Sequence, residues 1–103
     1  MEYWLLFWGS AAPGRDDADI AEQLRLGNAD CVLACPGVAD FRRDLLASDP
    51  DWTTMRLLPR PGPQQSLDRY LAVVFTDPPA ADELRDLRYV AARNRLRMYD
   101  PQG

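Results

Sequence analysis

The stretch Tyr70-Leu71-Ala72-Val73-Val74-Phe75 decides the fold of this chain, because it is the longest β-favouring apolar run in the second half. Thr76-Asp77-Pro78-Pro79 ends the run, since proline cannot continue a strand ladder but suits the beginning of a helix. Helical spacing then relates three apolar residues: Leu84, Leu87 and Ala91. Residues 70–99 therefore predict a strand, a helix and a second strand.

The same patterns, applied to the whole chain, predict four strands and three helices. The strands are predicted near residues 2–8, 52–58, 69–76 and 96–99. The helices are predicted near residues 17–26, 37–48 and 80–94. Residues 28–35 allow either a short edge strand or a loop, and we favour the loop.

This order of elements, β-α-α-β-β-α-β, predicts a single α+β domain over residues 1–103. Two β-α-β-like halves build a ferredoxin-like sandwich, so we expect a four-stranded, mainly antiparallel sheet with the three helices on one face. The first strand and the Tyr70 strand are the most apolar, and we therefore expect both at the centre of the sheet.

Charge and residue usage narrow the classes of function. The formal net charge is −4, and a basic face for nucleic acid or an anionic membrane is not expected. The chain has no histidine, which is the commonest general base and metal ligand. We expect no catalytic residue, no cofactor and no metal, so the sequence favours a protein that is not an enzyme.

Cys31 and Cys35 are the only thiols, and their spacing fits neither a redox pair nor half of a zinc ribbon. We expect both to be free. Met1–Trp8 is apolar but too short for a signal peptide, and Glu2 stands where such a peptide carries positive charge. These observations favour the cytoplasm.

Both faces of the predicted central strands are apolar. Tyr3, Leu5 and Phe7 alternate with Trp4, Leu6 and Trp8, although helices on one side of a sheet would cover only one of these sets. A surplus apolar face on a small domain predicts an interface. The alternative is that residues 28–35 or the proline-rich connector 59–65 fold across this apolar face. Both sets of first-strand residues remain candidates for the outward face.

Five residues are the predicted partner-binding positions: Trp4, Leu6, Trp8, Tyr70 and Tyr99. Tryptophan and tyrosine are common interface anchors, because they bury a large area at little cost in conformational entropy. The Asp-rich loops are expected to form an acidic rim that orients the partner.

Three segments resemble a diffuse group of small uncharacterised bacterial proteins. The start, Tyr3-Trp4-Leu5-Leu6-Phe7-Trp8, is similar to their Tyr-Asp-Leu-x-Val-Trp opening, with Trp4 in place of the usual Asp. The helix Phe41–Leu46 before Pro50, and the ending Leu96-Arg97-Met98-Tyr99-Asp100-Pro101-Gln102, also resemble that group. Some members look like immunity proteins, so the resemblance implies a role in blocking a partner.

Two hypotheses of function follow. The first is a non-enzymatic protein-binding domain, most concretely an immunity or antitoxin-like protein, with a partner that is either another protein or a second copy. The second is a small enzyme or ligand binder of the dimeric α+β barrel kind, in which two sheets stack around a pocket. Its expected lining residues are Tyr3, Trp4, Trp8, Tyr70 and Tyr99.

Overall fold

A computed structural model describes residues 2–11, 13–48, 55–58 and 68–101, and these form three helices and a four-stranded antiparallel sheet. The strands are β1 (Tyr3–Trp8), β2 (Met55–Leu58), β3 (Tyr70–Phe75) and β4 (Arg97–Tyr99). The helices are α1 (Asp17–Arg25), α2 (Pro36–Ser48) and α3 (Ala81–Arg93). Every predicted helix and strand is present, and the predicted residues 52–54 of the second strand lie outside the described residues.

The strands lie in the order β2-β3-β1-β4. β1 pairs antiparallel with β3 from Tyr3 opposite Phe75 to Trp8 opposite Tyr70. The shorter strands β2 and β4 flank this pair, and both are antiparallel to their neighbours. The prediction that the two most apolar strands lie at the centre is confirmed, because a central strand is covered by neighbours on both edges.

The helix ends follow from local chemistry. Asp16 caps α1, its carboxylate accepting a hydrogen bond from the Asp19 backbone N–H at 2.8 Å. Gly27 follows the end of α1 at a φ of +85°, a conformation that favours glycine. α3 begins after Ala80 without a side-chain cap, so the prolines at 78 and 79 precede the helix rather than form its first turn.

α2 and α3 pack on one face of the sheet. Val38, Phe41 and Leu45 of α2, with Leu87 and Ala91 of α3, form one core with the odd-numbered residues of β1 and β3. The two helices also touch directly, since a Cβ on Gly37 would lie only 2.1 Å from the Asn94 carbonyl oxygen. Glycine at position 37 therefore allows the beginning of α2 to approach the end of α3.

α1 packs on the opposite face, so the expectation of three helices on one face is wrong. Ile20, Ala21 and Leu24 of α1 form a second core with the even-numbered residues Leu6, Trp8, Tyr70 and Ala72 of the sheet. Cys31 and Val32, from the loop after α1, complete this core. The physical reason is that both sets of sheet residues are apolar, and a helix on each face removes both sets from water.

Residues 28–35 form a loop, as favoured from the sequence, with a single isolated bridge between Ala11 and Val32. Arg69 donates hydrogen bonds from Nη1 to the carbonyl oxygens of Ala29 and Val32, at 3.4 and 3.2 Å. These bonds tie the loop to the residue before β3. Of the helices in the described ranges, none combines the length and the apolar character needed to cross a bilayer.

Candidate functional site

The structure separates the five predicted partner-binding residues into two groups. Leu6, Trp8 and Tyr70 are 0, 1 and 6% exposed, because α1 and the loop after it cover them. The argument that a surplus apolar face reaches the surface therefore fails for these three residues. Trp4 and Tyr99 lie on the same face but are only partly buried, at the margin of this core.

α1 begins beside Trp8 and ends at Arg25 beside Trp4, so both ends of this sheet face lie near the helix. Trp4 is nevertheless only half-buried. Tyr99 lies beside Trp8, and the centroids of the two rings are 6.3 Å apart.

Trp4 lies in a depression of about 370 Å³ lined by Glu2, Trp4, Arg25 and Pro101. The guanidinium carbon of Arg25, the last residue of α1, is 5.7 Å from the centre of the Trp4 ring. At this distance a guanidinium is attracted to the electron-rich face of an indole. Leu26, the residue after Arg25, is 72% exposed. We call Glu2, Trp4, Arg25 and Pro101 the Trp4 surface.

The charges around the Trp4 surface are paired. Glu2 forms an ion pair with Arg56 of β2, and Glu22 is 3.4 Å from Arg25 Nη1. All four side chains are exposed, so each pair contributes little to stability. Glu2 and Glu22, beside this depression, are thus both paired with arginines. The acidic rim that is expected to orient a partner stays a prediction.

A second depression, of about 350 Å³, lies at the other end of α1, beside Trp8 and Gly9. Its charged groups are also paired, because Arg97 Nη1 is 3.3 Å from an Asp17 carboxylate oxygen and Arg15 Nη1 is 2.7 Å from Asp19. Within the described ranges no three Cys, Asp or Glu side chains come together as a metal site would require. Cys31 and Cys35 are free thiols, and burial raises the pKa of Cys31.

The pocket expected for a stacked dimer does not assemble on one face. Tyr3 packs with the core under α2 and α3, whereas Trp4, Trp8, Tyr70 and Tyr99 lie on the α1 face. α1 also occupies the surface on which a second sheet would stack. The observation that favoured a dimeric barrel is therefore lost.

Sequence reasoning missed one residue, Arg42. Its side chain is buried on α2, at a helical position between the apolar residues Val38 and Leu45. The signal was present in the sequence, since position 42 is four residues after Val38 and three before Leu45. Arginine is seldom buried, so an arginine in such an apolar stripe is a signal that identifies the residue from the sequence.

No protein-family model matches this chain, and neither the search of curated proteins nor the search of solved structures finds a match.

Proposed function

We propose that this chain is a non-enzymatic protein-binding domain, most concretely an immunity or antitoxin-like protein, that blocks its partner through the Trp4 surface. The observation that carries the proposal is a partly buried tryptophan beside an arginine, in a surface depression at the end of α1. Tryptophan and arginine are enriched among residues that dominate binding energy. Leu26 follows Arg25 in the chain and adds an exposed apolar side chain at the end of α1.

The net charge suits a basic partner. With a formal charge of −4, the chain attracts a cationic protein at long range and speeds its association more than it strengthens the complex. Nucleic acid and anionic membranes are not part of the proposal, because both would be repelled. Cytoplasmic location is part of it, and the two free thiols are in keeping with a reducing compartment.

The fold that carries this surface is, in our proposal, a ferredoxin-like sandwich with α1 added on the second face. The order β2-β3-β1-β4, with every neighbouring pair antiparallel, supports this assignment.

The Trp4 surface is tested with two exposed leucines on opposite sides of the sheet. Leu26 is next to the Trp4 surface, whereas Leu46 lies on α2 and is 54% exposed. We expect Leu26→Asp to keep the fold and to weaken binding at least tenfold, about 1.4 kcal/mol. Leu46→Asp introduces the same charge on the other side of the molecule, and we expect it to bind as the wild type does.

Wild type and both variants are immobilised and used to capture proteins from a lysate of the source cells, with quantification by mass spectrometry. A candidate retained by wild type and Leu46→Asp but lost on Leu26→Asp is then purified, and its Kd for each form is measured by calorimetry. Equal affinity for all three forms would remove the Trp4 surface as the binding site. Loss on Leu46→Asp alone would place the interface on the α2 side and contradict the proposal.

A further inference from the structure

Arg42 occupies a position in α2 that would ordinarily hold an apolar residue. Val38, Phe41 and Leu45 form the buried stripe of this helix, and Arg42 falls within the same stripe. Arg42 as a whole residue is 8% exposed, whereas the side chain of its neighbour Arg43 is 73% exposed. The two adjacent arginines therefore have opposite environments.

One edge of the Arg42 guanidinium lacks hydrogen-bond partners. Nε and Nη2 are both buried, and within the described part of the chain neither nitrogen reaches an acceptor. Nε–H and one Nη–H point in parallel and form the fork that binds the two oxygens of a carboxylate. A buried cation with unsatisfied donors is costly, so a group that satisfies this edge would bind favourably.

The carboxylates of α2 itself have other contacts. Asp40 forms an ion pair with Arg43 on the exposed side of the helix. Asp44 accepts a hydrogen bond from Asn94 Nδ2 at 3.5 Å, which links α2 to the end of α3. Among the described residues, the helix that carries Arg42 thus uses its two acids elsewhere.

Arg42 and Tyr70 affect each other's ionisation through charge, although Tyr70 packs in the core under α1. Burial lowers the pKa of the Arg42 guanidinium and raises the pKa of the Tyr70 phenol, and each group opposes the shift of the other through its charge.

We propose that Arg42 forms a carboxylate-binding site that is separate from the Trp4 surface. Charge matching favours a carboxylate over a phosphate, because one buried cation neutralises a monoanion and leaves a dianion with excess charge. A planar carboxylate also fits the free edge of the guanidinium with two parallel hydrogen bonds. Since this edge is shielded from water, the ligand enters when the surrounding side chains open locally.

The probe is sodium acetate, with sodium chloride at equal ionic strength as the background. We expect acetate to raise the denaturation midpoint of the wild type, and at a hundredfold excess over its Kd to raise the folding equilibrium constant about 100-fold. In ¹⁵N NMR spectra, the Arg42 Nε–H resonance, identified by its absence from Arg42→Met, should shift and saturate over the same concentration range.

Two variants make the result specific. Arg42→Met replaces the guanidinium with an apolar side chain that suits the stripe, so it should be at least as stable as the wild type without acetate and should not respond to acetate. Arg43→Met removes the adjacent exposed guanidinium, and its acetate response should equal that of the wild type. Both variants are expected to fold, which keeps the comparison meaningful.

Three results would overturn the site. An equal response of Arg42→Met to acetate would show that Arg42 is not the anchor. Lower stability of Arg42→Met in chloride alone would show that the chain satisfies the guanidinium internally. A response to inorganic phosphate that exceeds the response to acetate at equal ionic strength would contradict the assignment to a carboxylate.

Discussion

Tyr3 and Asp100 connect the first strand to the residue after the last one. The Tyr3 hydroxyl donates a hydrogen bond to the Asp100 carboxylate, and both side chains are partly buried. This bond, followed by burial and the charge of Asp100, raises the pKa of Tyr3 above its usual 10.0. The folded chain therefore holds the Tyr3 proton more tightly than the unfolded chain does.

The composition makes this titration accessible to experiment. The chain has no lysine, so above pH 9 its titrating side chains are the tyrosines and cysteines. Because the pKa of Tyr3 is raised in the folded state, its contribution to stability is complete below pH 10 and decreases as the pH rises through the folded pKa. Burial gives Tyr70 a change of the same sign.

We predict that Tyr3→Phe lowers the free energy of unfolding by about 1 kcal/mol at pH 7, because it removes one partly buried hydrogen bond. Between pH 9 and 11 the stability of this variant should decrease less steeply than that of the wild type. Urea denaturation at several pH values measures both effects. Parallel pH profiles for the two proteins would show that Tyr3 does not cause the alkaline loss.

At the scale of elements, the beginning of α2 approaches the end of α3 closely because Gly37 has no side chain. Gly37 lies in the first turn of α2, and its Cα faces the backbone carbonyl at the end of α3. α3 ends there with Asn94 and Arg95, and Arg95 has a φ of +60°, the left-handed conformation in which helices often end. The contact is between two backbones, so neither partner can move as a flexible side chain would.

We predict that Gly37→Ala destabilises the domain by about 1–3 kcal/mol, although alanine is ordinarily the better helix former. The added Cβ would lie 2.1 Å from the Asn94 carbonyl oxygen and would force the helices apart. Thermal denaturation measures the effect, with Ala39→Gly, at an exposed position of α2, as the control for helix propensity. A Gly37→Ala protein more stable than the wild type would show that the helices are not in this contact.

At the scale of the whole molecule, the sheet lies between two cores of different construction. One face has two 13-residue helices, and the other has the nine-residue α1 together with the loop that contains Cys31 and Val32. Leu5 and Leu6, adjacent in β1, belong to opposite cores, and both are fully buried. The thinner cover on the α1 face nevertheless removes the Trp8 end of that face from water.

We predict that Leu5→Ala and Leu6→Ala each lower the free energy of unfolding by about 2–5 kcal/mol, because each leaves a cavity in a closed core. Urea denaturation of the two variants compares the faces directly. A cost below about 1 kcal/mol for Leu6→Ala alone would show that the α1 face is open to water in solution. That result would restore the surplus apolar face expected from the alternation in β1.

Helical and strand periodicity in the sequence was sufficient to place the elements. The spacing of Leu84, Leu87 and Ala91 predicted one apolar face of α3, and in the structure Leu87 and Ala91 are buried and Leu84 is half-buried, because the spacing of side chains within one element is a local property. The central position of β1 and β3 also followed from composition, since the strands with neighbours on both edges are the most apolar ones.

Which face α1 covers was decided only by the tertiary structure. The pattern of Ile20, Ala21 and Leu24 shows that α1 has a buried stripe, but the loops at its two ends allow it to pack on either side of the sheet. Its position places Leu6, Trp8 and Tyr70, which were expected at an interface, in the core and leaves Trp4 at the margin of that core. The lack of hydrogen-bond partners at one edge of the Arg42 guanidinium is likewise a tertiary property, because hydrogen bonding to a buried guanidinium depends on residues that are distant in the chain.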